Sequence, residues 1–600
     1  MKLIVEGYNY QSEKARHIIE LFSHKILKDG RVSTDTVGYC YSKSLQDCVF
    51  FAPKVICDAE NRLLSKYEDL DNCVDVSESP LEEEEKRFVQ GLNVWLYRAL
   101  KRYADREESS EIIERQSFSS TCDDPSIKDT FLDNILAIID FYEKNRDFFI
   151  FTMKNIHSQR HKINWNKTIS QSGAIIQEKT PLYLDPISKK KSINWDEELL
   201  IVFFSILNYV NSFGFDVRFE NSYELIKGDL FKAYLEGLGL TRLRQIKHRY
   251  FSDKTRKLWS LCHDFFAKID SISSSKQDFE FLVANKFHIA FEDMVDELIG
   301  QPELADMRKL DDGKIIDHIY QDTSLLSADL IYYIGDSKYY KLSSQVKEES
   351  NSTYKQYTYA RNIVHNSIIA SFNNTWPFRD PLTEGYSITP NFFISAEIEE
   401  NRRYDVDGFE KKDVVSKPFT SRQFNNRLFD RDTLWVNQYN LDFLYLLSVY
   451  ASGNKGMKDD FKIKAHRFFR DKTIDLLNRK YEFWELKPKA GKSLEETLTD
   501  TIKWELRGMV YRLGQTGESL LFAMEKPADA EGEDNIIYLQ KERQADFERV
   551  SHVIAPLFNY RRCLLSKKAG EVISYIEDKR SSGFFFFFFF FDEEGTSTND

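Results

Sequence analysis

The sequence has little that would mark a secreted, membrane-spanning or zinc-stabilised protein. Seven cysteines are spread over 600 residues without one C-x-x-C pair, which argues against a zinc ribbon and against a disulfide framework. No apolar run approaches the roughly twenty residues that cross a bilayer. The chain turns acidic at Glu6, unlike a secretory signal. We therefore expect a cytoplasmic protein with reduced thiols and no membrane partner.

The chain also lacks an excess of positive charge, because its formal net charge is −13. A protein held on nucleic acid by charge alone would be basic, so any contact with DNA must come from a local basic patch or be assisted by a partner. The densest basic cluster contains Arg242, Arg244, Lys247 and Arg249. These side chains are candidates for contacts with phosphates. A solvated helix face is the equally weighted alternative.

One short stretch, Ile334-Gly-Asp-Ser-Lys-Tyr-Tyr-Lys341, carries the most specific chemistry. The apolar run before it is β-branched and aromatic, which predicts a buried strand. Side chains alternate along a strand, so Asp336 and Lys338 point the same way. A carboxylate can hold a hard divalent cation, and an ammonium can stabilise an anionic transition state. This is the D-x-K half of the metal-dependent nuclease pattern PD-(D/E)xK, although acid-x-Lys alone is common by chance.

Two further acids and one amide can complete such a centre. Asp317, in the preceding predicted strand, can fold back beside Asp336. Asp329 would lie about 23 Å from Asp336, on the opposite face of a continuous strand, so we prefer Asp317 as the second metal-binding acid and keep Asp329 as the alternative. Glu292 lies beside the apolar face of a predicted helix and can reach the same ion. Gln356, on an apolar helix face, can orient a water or the lysine.

These groups predict phosphodiester hydrolysis. Carboxylate oxygens suit Mg²⁺ or Mn²⁺ far better than zinc, so one of these two ions is the expected cofactor. The bound ion would activate water and polarise the phosphate, and Lys338 would stabilise the developing charge.

The order of predicted elements indicates an α/β, multidomain protein. In the middle region, a helix, a hairpin and a second helix around a buried Trp165 fit a winged-helix-like DNA-binding unit or a plain structural module equally well. The predicted domains are an N-terminal α+β domain (1–115), a middle helical or winged-helix-like domain (116–272), a PD-(D/E)xK nuclease domain with a mixed sheet (273–455), a mostly helical C-terminal domain (456–583), and a tail of eight phenylalanines and acidic residues (584–600).

Several segments together resemble the LlaJI-type restriction endonucleases, which are similar to the McrC nuclease subunit of McrBC systems. The most specific are D-S-K-Y-Y from Asp336 and Q-Y-x-Y-A from Gln356. The likeness covers most of residues 30–450 and includes Val37-Gly-Tyr, Phe51-Ala-Pro-Lys-Val, Ile163-Asn-Trp-Asn-Lys-Thr-Ile and Ile316-Asp-His. It departs from the family pattern at the first acid, where Pro-Asp is usual. Here Ile316 precedes Asp317, and Ala328 precedes Asp329.

The resemblance implies a type II/IV-like restriction endodeoxyribonuclease that cleaves DNA with Mg²⁺ in antiviral defence, alongside an AAA+ GTPase subunit of the McrB type. No P-loop sequence G-x-x-x-x-G-K-[ST] occurs in the chain, so GTP would be used only through such a partner. Two alternatives stay open. One is a non-catalytic scaffold or DNA-binding adaptor that regulates the GTPase, against which the intact Asp336, Lys338 and Gln356 argue. The other is a stand-alone, structure-specific repair nuclease.

Overall fold

The structure is a computed structural model. It describes residues 1–22, 30–58, 60–106, 112–116, 129–146, 151–157, 162–193, 198–215, 217–219, 223–250, 252–275, 277–308, 315–326, 330–339, 355–360, 362–363, 390–398, 419–420, 435–489, 491–499, 506, 510–513, 518–525 and 548–574. Asp329 and the predicted tail at 584–600 lie outside these residues.

The described residues form a mixed α/β fold with three five-stranded sheets and two two-stranded ones. The strands are β1 (Lys2–Val5), β2 (Val37–Ser42), β3 (Asp47–Ala52), β4 (Ile113–Gln116), β5 (Phe151–His157), β6 (Ile175–Gln177), β7 (Thr180–Leu182), β8 (Ile187–Ile193), β9 (Phe279–Ala284), β10 (His318–Thr323), β11 (Leu330–Lys338), β12 (Asn391–Glu397), β13 (Phe419–Thr420), β14 (Trp435–Asp442), β15 (Tyr481–Pro488), β16 (Val510–Leu513), β17 (Ser519–Glu525), β18 (Phe558–Leu565) and β19 (Val572–Ser574).

Helices surround these sheets. They are α1 (Glu13–Phe22), α2 (Glu83–Arg106), α3 (Phe131–Lys144), α4 (Trp165–Gln171), α5 (Glu198–Asn211), α6 (Gly228–Ala233), α7 (Gly239–Ile246), α8 (Asp253–Ser274), α9 (Phe287–Ile299), α10 (Ala305–Arg308), α11 (Phe443–Ser452), α12 (Lys455–Lys480) and α13 (Leu494–Thr497). Residues 355–360 and 362–363 are also helical and are called the Gln356 helix below. Among the described residues, no helix is both long and apolar enough to cross a membrane.

The first sheet has the strand order β1-β3-β2-β9-β4. Strand β1 runs parallel to β3, and the other neighbours are antiparallel. Every residue of β2 is buried, because the strand lies in the centre of the sheet and α2 packs on it. Strand β9 returns to this sheet after the long middle region. The sheet therefore takes strands from both sides of the predicted boundaries at 115 and 272.

The second sheet, in the order β10-β11-β12-β14-β13, contains the D-x-K stretch. Strands β10 and β11 are antiparallel, whereas β11, β12 and β14 are parallel. The Gln356 helix packs on one face, where Ile319, Tyr332 and Ile334 are buried with Tyr359. Helix α9 contacts the opposite side through the rings of Phe287 and Phe291, which touch that of Tyr339. The catalytic candidates thus lie on a strand covered on both faces.

Gly335 is the glycine of β11, and the structure leaves no room for a side chain at this position. A Cβ atom there would lie 2.4 Å from Cε2 of Phe392 on the neighbouring strand. We expect Gly335→Ala to lower the free energy of unfolding by about 2 kcal/mol, because the buried ring must move in a packed core. Chemical denaturation would measure this. An unchanged midpoint would show that the ring of Phe392 moves freely.

The prediction of a mostly helical C-terminal region is wrong beyond Lys480. Helix α12 ends there, and an antiparallel sheet follows in the order β16-β17-β15-β18-β19. Charged side chains on neighbouring strands of this sheet form ion pairs. Arg562 lies 2.8 Å from Glu482, and Arg561 forms an ion pair with Glu485. Apolar clusters on the two faces of the sheet account for its strand-period pattern.

The middle region also departs from expectation, because Trp165 is 55% exposed rather than buried. It begins the short helix α4, which is followed by the hairpin β6–β7. The prediction of a winged-helix-like core built around this tryptophan is therefore wrong. The larger α-helices of the region, α3, α5 and α8, pack on one another and build its apolar core without Trp165.

Candidate active site

The antiparallel register of β10 and β11 brings the two preferred acids together. His318 pairs with Gly335, and the register continued by one position sets Asp317 opposite Asp336. Directly opposed residues of an antiparallel pair have Cβ atoms only about 4.5–5.5 Å apart and share a face. The backbone N–H of Ser337 donates to Oδ2 of Asp317 at 3.0 Å, which holds that carboxylate against β11.

Ile316 stands where the family pattern usually has proline. Its N–H donates to the carbonyl of Arg308 at 2.9 Å, a bond that proline could not form because it has no N–H. The guanidinium Nε of Arg308 donates to the carbonyl of Ile316 at 3.0 Å in return. This reciprocal pair fixes the chain immediately before Asp317, so the departure from the pattern has a local structural reason.

Lys338 lies beside Asp336, as the alternation along a strand predicts. Its ammonium forms an ion pair with Oδ2 of Asp336 and lies 5.2 Å from the ring centre of Phe393 on β12. Both charged side chains are largely buried, with 17% of Lys338 and 14% of Asp336 exposed. In such surroundings the ammonium is a preorganised positive charge at the end of the strand.

Glu292 reaches the same place from helix α9. Five apolar residues of that helix form the predicted core face and are all buried: Phe287, Phe291, Met294, Val295 and Leu298. Burial raises the pKa of Glu292 to about 7, and the negative charge of Asp336 adds to the rise, while Lys338 and Arg308 oppose it. The carboxyl group of Glu292 is therefore within electrostatic range of the D-x-K pair.

Asp317 is also buried among negative charges. Burial raises its pKa well above the ordinary value, and the charges of Asp336 and Glu292 contribute, whereas the N–H of Ser337 and the charge of Lys338 act against them. The charges of Asp336 and Glu292 thus both act on Asp317, and the charge of Lys338 opposes them. Within the described ranges, no three acidic, imidazole or thiol side chains already form a metal-ligand cluster.

Gln356 is fully buried on the face of its helix that covers the sheet. Its side-chain nitrogen donates to the carbonyl of Ile334 at 3.4 Å. Its Oε1 atom has no hydrogen-bond partner among the described residues. Since a buried amide oxygen costs free energy when unpaired, a donor such as water would be stabilised there. Gln356 is close to the D-x-K strand, although its role stays a prediction.

The sequence did not predict a buried network of hydrogen bonds and ion pairs that lies next to Asp317 and Asp336 in the chain and connects β10, β11 and α9. Nε2 of His318 and Oγ of Ser337 are 2.6 Å apart, and Nδ1 of His318 is 3.4 Å from Oδ1 of Asp296. Arg308 forms an ion pair with the other carboxylate oxygen of Asp296. Burial would raise the pKa of Asp296, but its interactions with His318 and Arg308 lower it. The only sequence signals were the histidine after Asp317 and the serine inside D-x-K.

The hydroxyl of Ser337 offers a test of this network. Ser337→Ala keeps the N–H that binds Asp317 but leaves a nitrogen of the buried His318 without its partner. We expect a loss of about 1–2 kcal/mol in the free energy of unfolding, measured by urea denaturation. Ser337→Thr, which retains a hydroxyl, is the control. Equal stability of the alanine variant and the wild type would mean that the contact contributes nothing.

The strand end is also braced by the first sheet. The hydroxyl of Tyr339 donates to Glu6 at 2.6 Å, and the ammonium of Lys54 lies 4.6 Å from the centre of the Tyr339 ring. Burial raises the pKa of Glu6, and its bond to Tyr339 and the charge of Lys54 oppose the rise. The residue after Lys338 is therefore held by groups more than 280 positions away in the chain.

The predicted DNA-binding cluster lies on α7 and the turn after it, and part of it is already engaged. Arg242 lies 2.7 Å from Glu198, and Arg249 lies 3.5 Å from the same carboxylate. The ammonium of Lys247 is 5.0 Å from the ring centre of Trp259. Arg244 is exposed. A role of these four residues in DNA binding stays a prediction.

The structure brings together Asp317, Asp336 and Lys338. The charges of Asp336 and Lys338 act on Glu292, and Gln356 contacts Ile334 on the same strand. The alternative acid, Asp329, lies outside the described residues, so its part in the site stays open. Comparison of the chain with protein-family models, curated proteins and solved structures finds no match.

Proposed function

We propose that this chain is a divalent-metal-dependent DNA endonuclease of the PD-(D/E)xK type. The observation that carries the proposal is the placement of Asp317, Asp336 and Lys338 together at the end of β11, with Glu292 on α9 near enough for their charges to act on it. Asp317 accepts from Ser337, Lys338 pairs with Asp336, and Asp336 acts electrostatically on Glu292. The carboxyl groups of Asp317, Asp336 and Glu292 are opposed by the charge of Lys338 and, at Glu292, also by that of Arg308.

A divalent cation fits this donor set. Carboxylate oxygens are the ligands that Mg²⁺ and Mn²⁺ prefer. The raised pKa values of Asp317 and Glu292 reflect burial together with a local excess of negative charge. Asp317, Asp336 and Glu292 would hold the ion. When bound, the ion would polarise the scissile phosphate and lower the pKa of a bound water.

The protein groups have separate tasks in this proposal. Lys338, held near the acids by the packing of β11 against β12, stabilises the negative charge that develops on the phosphate. The free Oε1 of Gln356 accepts a hydrogen bond from water and so helps to order the solvent near the strand. Ser337 and His318 position Asp317 and the strand end and do not contact the substrate.

The proposed biological setting rests on the resemblance to LlaJI-type and McrC proteins. In that setting the chain is the cleavage subunit of a restriction system that acts against phage, and a McrB-like AAA+ GTPase supplies the GTP hydrolysis. The acidic net charge of −13 fits such a division of labour, because DNA loading would be assisted by the partner.

A cleavage assay tests the proposal. Supercoiled plasmid, methylated or unmethylated, is incubated with the purified chain and Mg²⁺, with and without a McrB-like GTPase. We expect nicked or linear products that require the divalent ion. Cleavage by the chain alone would favour the stand-alone repair nuclease over the restriction complex. If neither plasmid gives an Mg²⁺-dependent product, with or without the GTPase, the proposed nuclease activity is refuted and the non-catalytic scaffold is favoured.

A further inference from the structure

Residues 162–189, here called the Trp165 module, expose an unusual amount of apolar surface. Six of the fourteen large, exposed apolar side chains among the described residues lie in it: Trp165, Ile169, Ile175, Ile176, Leu182 and Leu184. Ile176 is 77% exposed. Soluble proteins rarely leave such groups together in water unless they contact a ligand or partner.

The module nevertheless has a defined local structure. The hydroxyl of Thr168 is buried, and it accepts from the N–H of Ile187 at 3.0 Å. The N–H of Asn164 donates to the carbonyl of Ile187 at 2.7 Å, and that of Lys189 to the carbonyl of Lys162 at 2.8 Å. These bonds tie the two ends of the module together, so its apolar residues are presented on a formed scaffold.

The hairpin of the module has a tight two-residue turn. Glu178 and Lys179 both have positive φ angles, 49° and 74°, which is typical of the two-residue turns that match strand twist. Ile176 precedes this turn and Lys179 lies in it. The ring of Trp165 contacts that of Tyr183 edge to face, with 6.3 Å between the ring centres. Trp165 stays 55% exposed beside this ring, so much of the indole is accessible to a ligand.

The charge of this region is opposite to that of the rest of the chain. Residues 151–193 contain eight basic and two acidic side chains, a net charge of +6, so the remaining residues carry −19. Four lysines of the module are exposed in the structure: Lys162, Lys167, Lys179 and Lys189. A polyanion would be repelled by most of the chain and attracted here. The Arg242 cluster is a weaker candidate, because Glu198 pairs with two of its arginines.

We propose that the Trp165 module binds a single-stranded segment of DNA, with Trp165 stacking on an unpaired base and the exposed lysines contacting phosphates. Exposed aromatic rings among lysines suit single strands, because every base has a face on which an aromatic ring can stack. The neighbouring isoleucines can pack against further unpaired bases. The choice of DNA over RNA rests on the proposed nuclease function, whereas the binding surface itself does not.

The test measures binding without cleavage. Fluorescence anisotropy follows a labelled oligonucleotide, single-stranded or annealed, with the full-length Lys338→Ala protein in EDTA. We expect tighter binding of the single strand. Trp165→Ala should weaken it about 5- to 100-fold, the range found for loss of one stacked base. Lys167→Ala should reduce the slope of log affinity against log salt by about 0.7, the value for one phosphate contact on a single strand.

Matched controls lie outside the module. Leu230 is as exposed as Trp165, at 55%, and Lys232 is exposed on the same helix. Leu230→Ala and Lys232→Ala should leave the affinity unchanged. Circular dichroism of every variant checks the fold, and Trp165→Phe should restore part of the affinity.

An unchanged affinity of Trp165→Ala for the single strand would overturn the proposal. The module would then be a surface for another class of partner, such as an acidic protein. Failure of the nuclease proposal gives a different result, in which binding in EDTA is retained and no Mg²⁺-dependent cleavage is found.

Discussion

Lys338→Ala should lower the rate of DNA cleavage by about 10²–10³-fold, the usual cost of removing one preorganised charge-stabilising group. The ammonium is largely buried between Asp336 and the ring of Phe393, and solvent cannot replace it at the same position. Metal binding should survive, since the three carboxyl groups remain. Single-turnover cleavage of plasmid measures the rate, and calorimetry with Mn²⁺ measures metal binding.

Two comparisons sharpen this experiment. Asp336→Asn should lose both cleavage and metal binding, because it removes a proposed ligand. Lys144→Ala removes an exposed lysine that pairs with Asp140 on α3 and should change neither. Lys338→Ala should also retain binding to the proposed GTPase partner. Restriction of phage at the wild-type level by Lys338→Ala would favour the non-catalytic scaffold.

Mg²⁺ should raise the Tm of the protein much more at pH 8 than at pH 5. Glu292 has a pKa of about 7 in the folded chain, against an ordinary value of 4.5. The folded state therefore binds more protons than the unfolded state between these values, and stability falls as the pH rises through this window. A divalent cation that binds only the folded state offsets this repulsion.

The control for this prediction is Asp317→Asn. It removes one of the crowded carboxylates, whose own pKa is raised in the same direction. Without metal, the variant should be less destabilised at high pH than the wild type, and its gain from Mg²⁺ should be smaller. Thermal melts from pH 5 to pH 8, with and without Mg²⁺, measure both effects. An equal gain from Mg²⁺ at every pH, or in both proteins, would rule out the carboxylate cluster as the binding site.

Several elements around the site could be predicted from local sequence. The apolar segment Asn391–Ile398 predicts a strand, and the structure contains β12 there, at Asn391–Glu397. The segment from Leu441 to Tyr450 predicts a helix, which begins two residues later because Asp442 caps it by accepting from the N–H of Tyr445 at 2.7 Å. Such features depend on alternation, on apolar periodicity and on capping, which involve neighbouring residues and are visible in a short window.

Other features could not be seen locally. The segment around Glu482 and Glu485 does not show that these acids pair with Arg562 and Arg561, which lie on a strand about 80 positions later. Trp165 was expected to be buried between a helix, a hairpin and a second helix, yet the other helices of its region form a core without it. In both cases the outcome depends on partners that are distant in sequence.

By itself, the sequence determined that Asp336 and Lys338 share one face of a strand, and that Glu292 adjoins the apolar face of a helix, because both follow from fixed local periods. Only the tertiary structure decided that Asp317 lies opposite Asp336. It also decided that His318, Asp296 and Arg308 form a network next to the strand, and that Glu6 and Lys54 of the first sheet contact Tyr339. Strand register and helix packing minimise the free energy of the whole core, so no single segment contains that information.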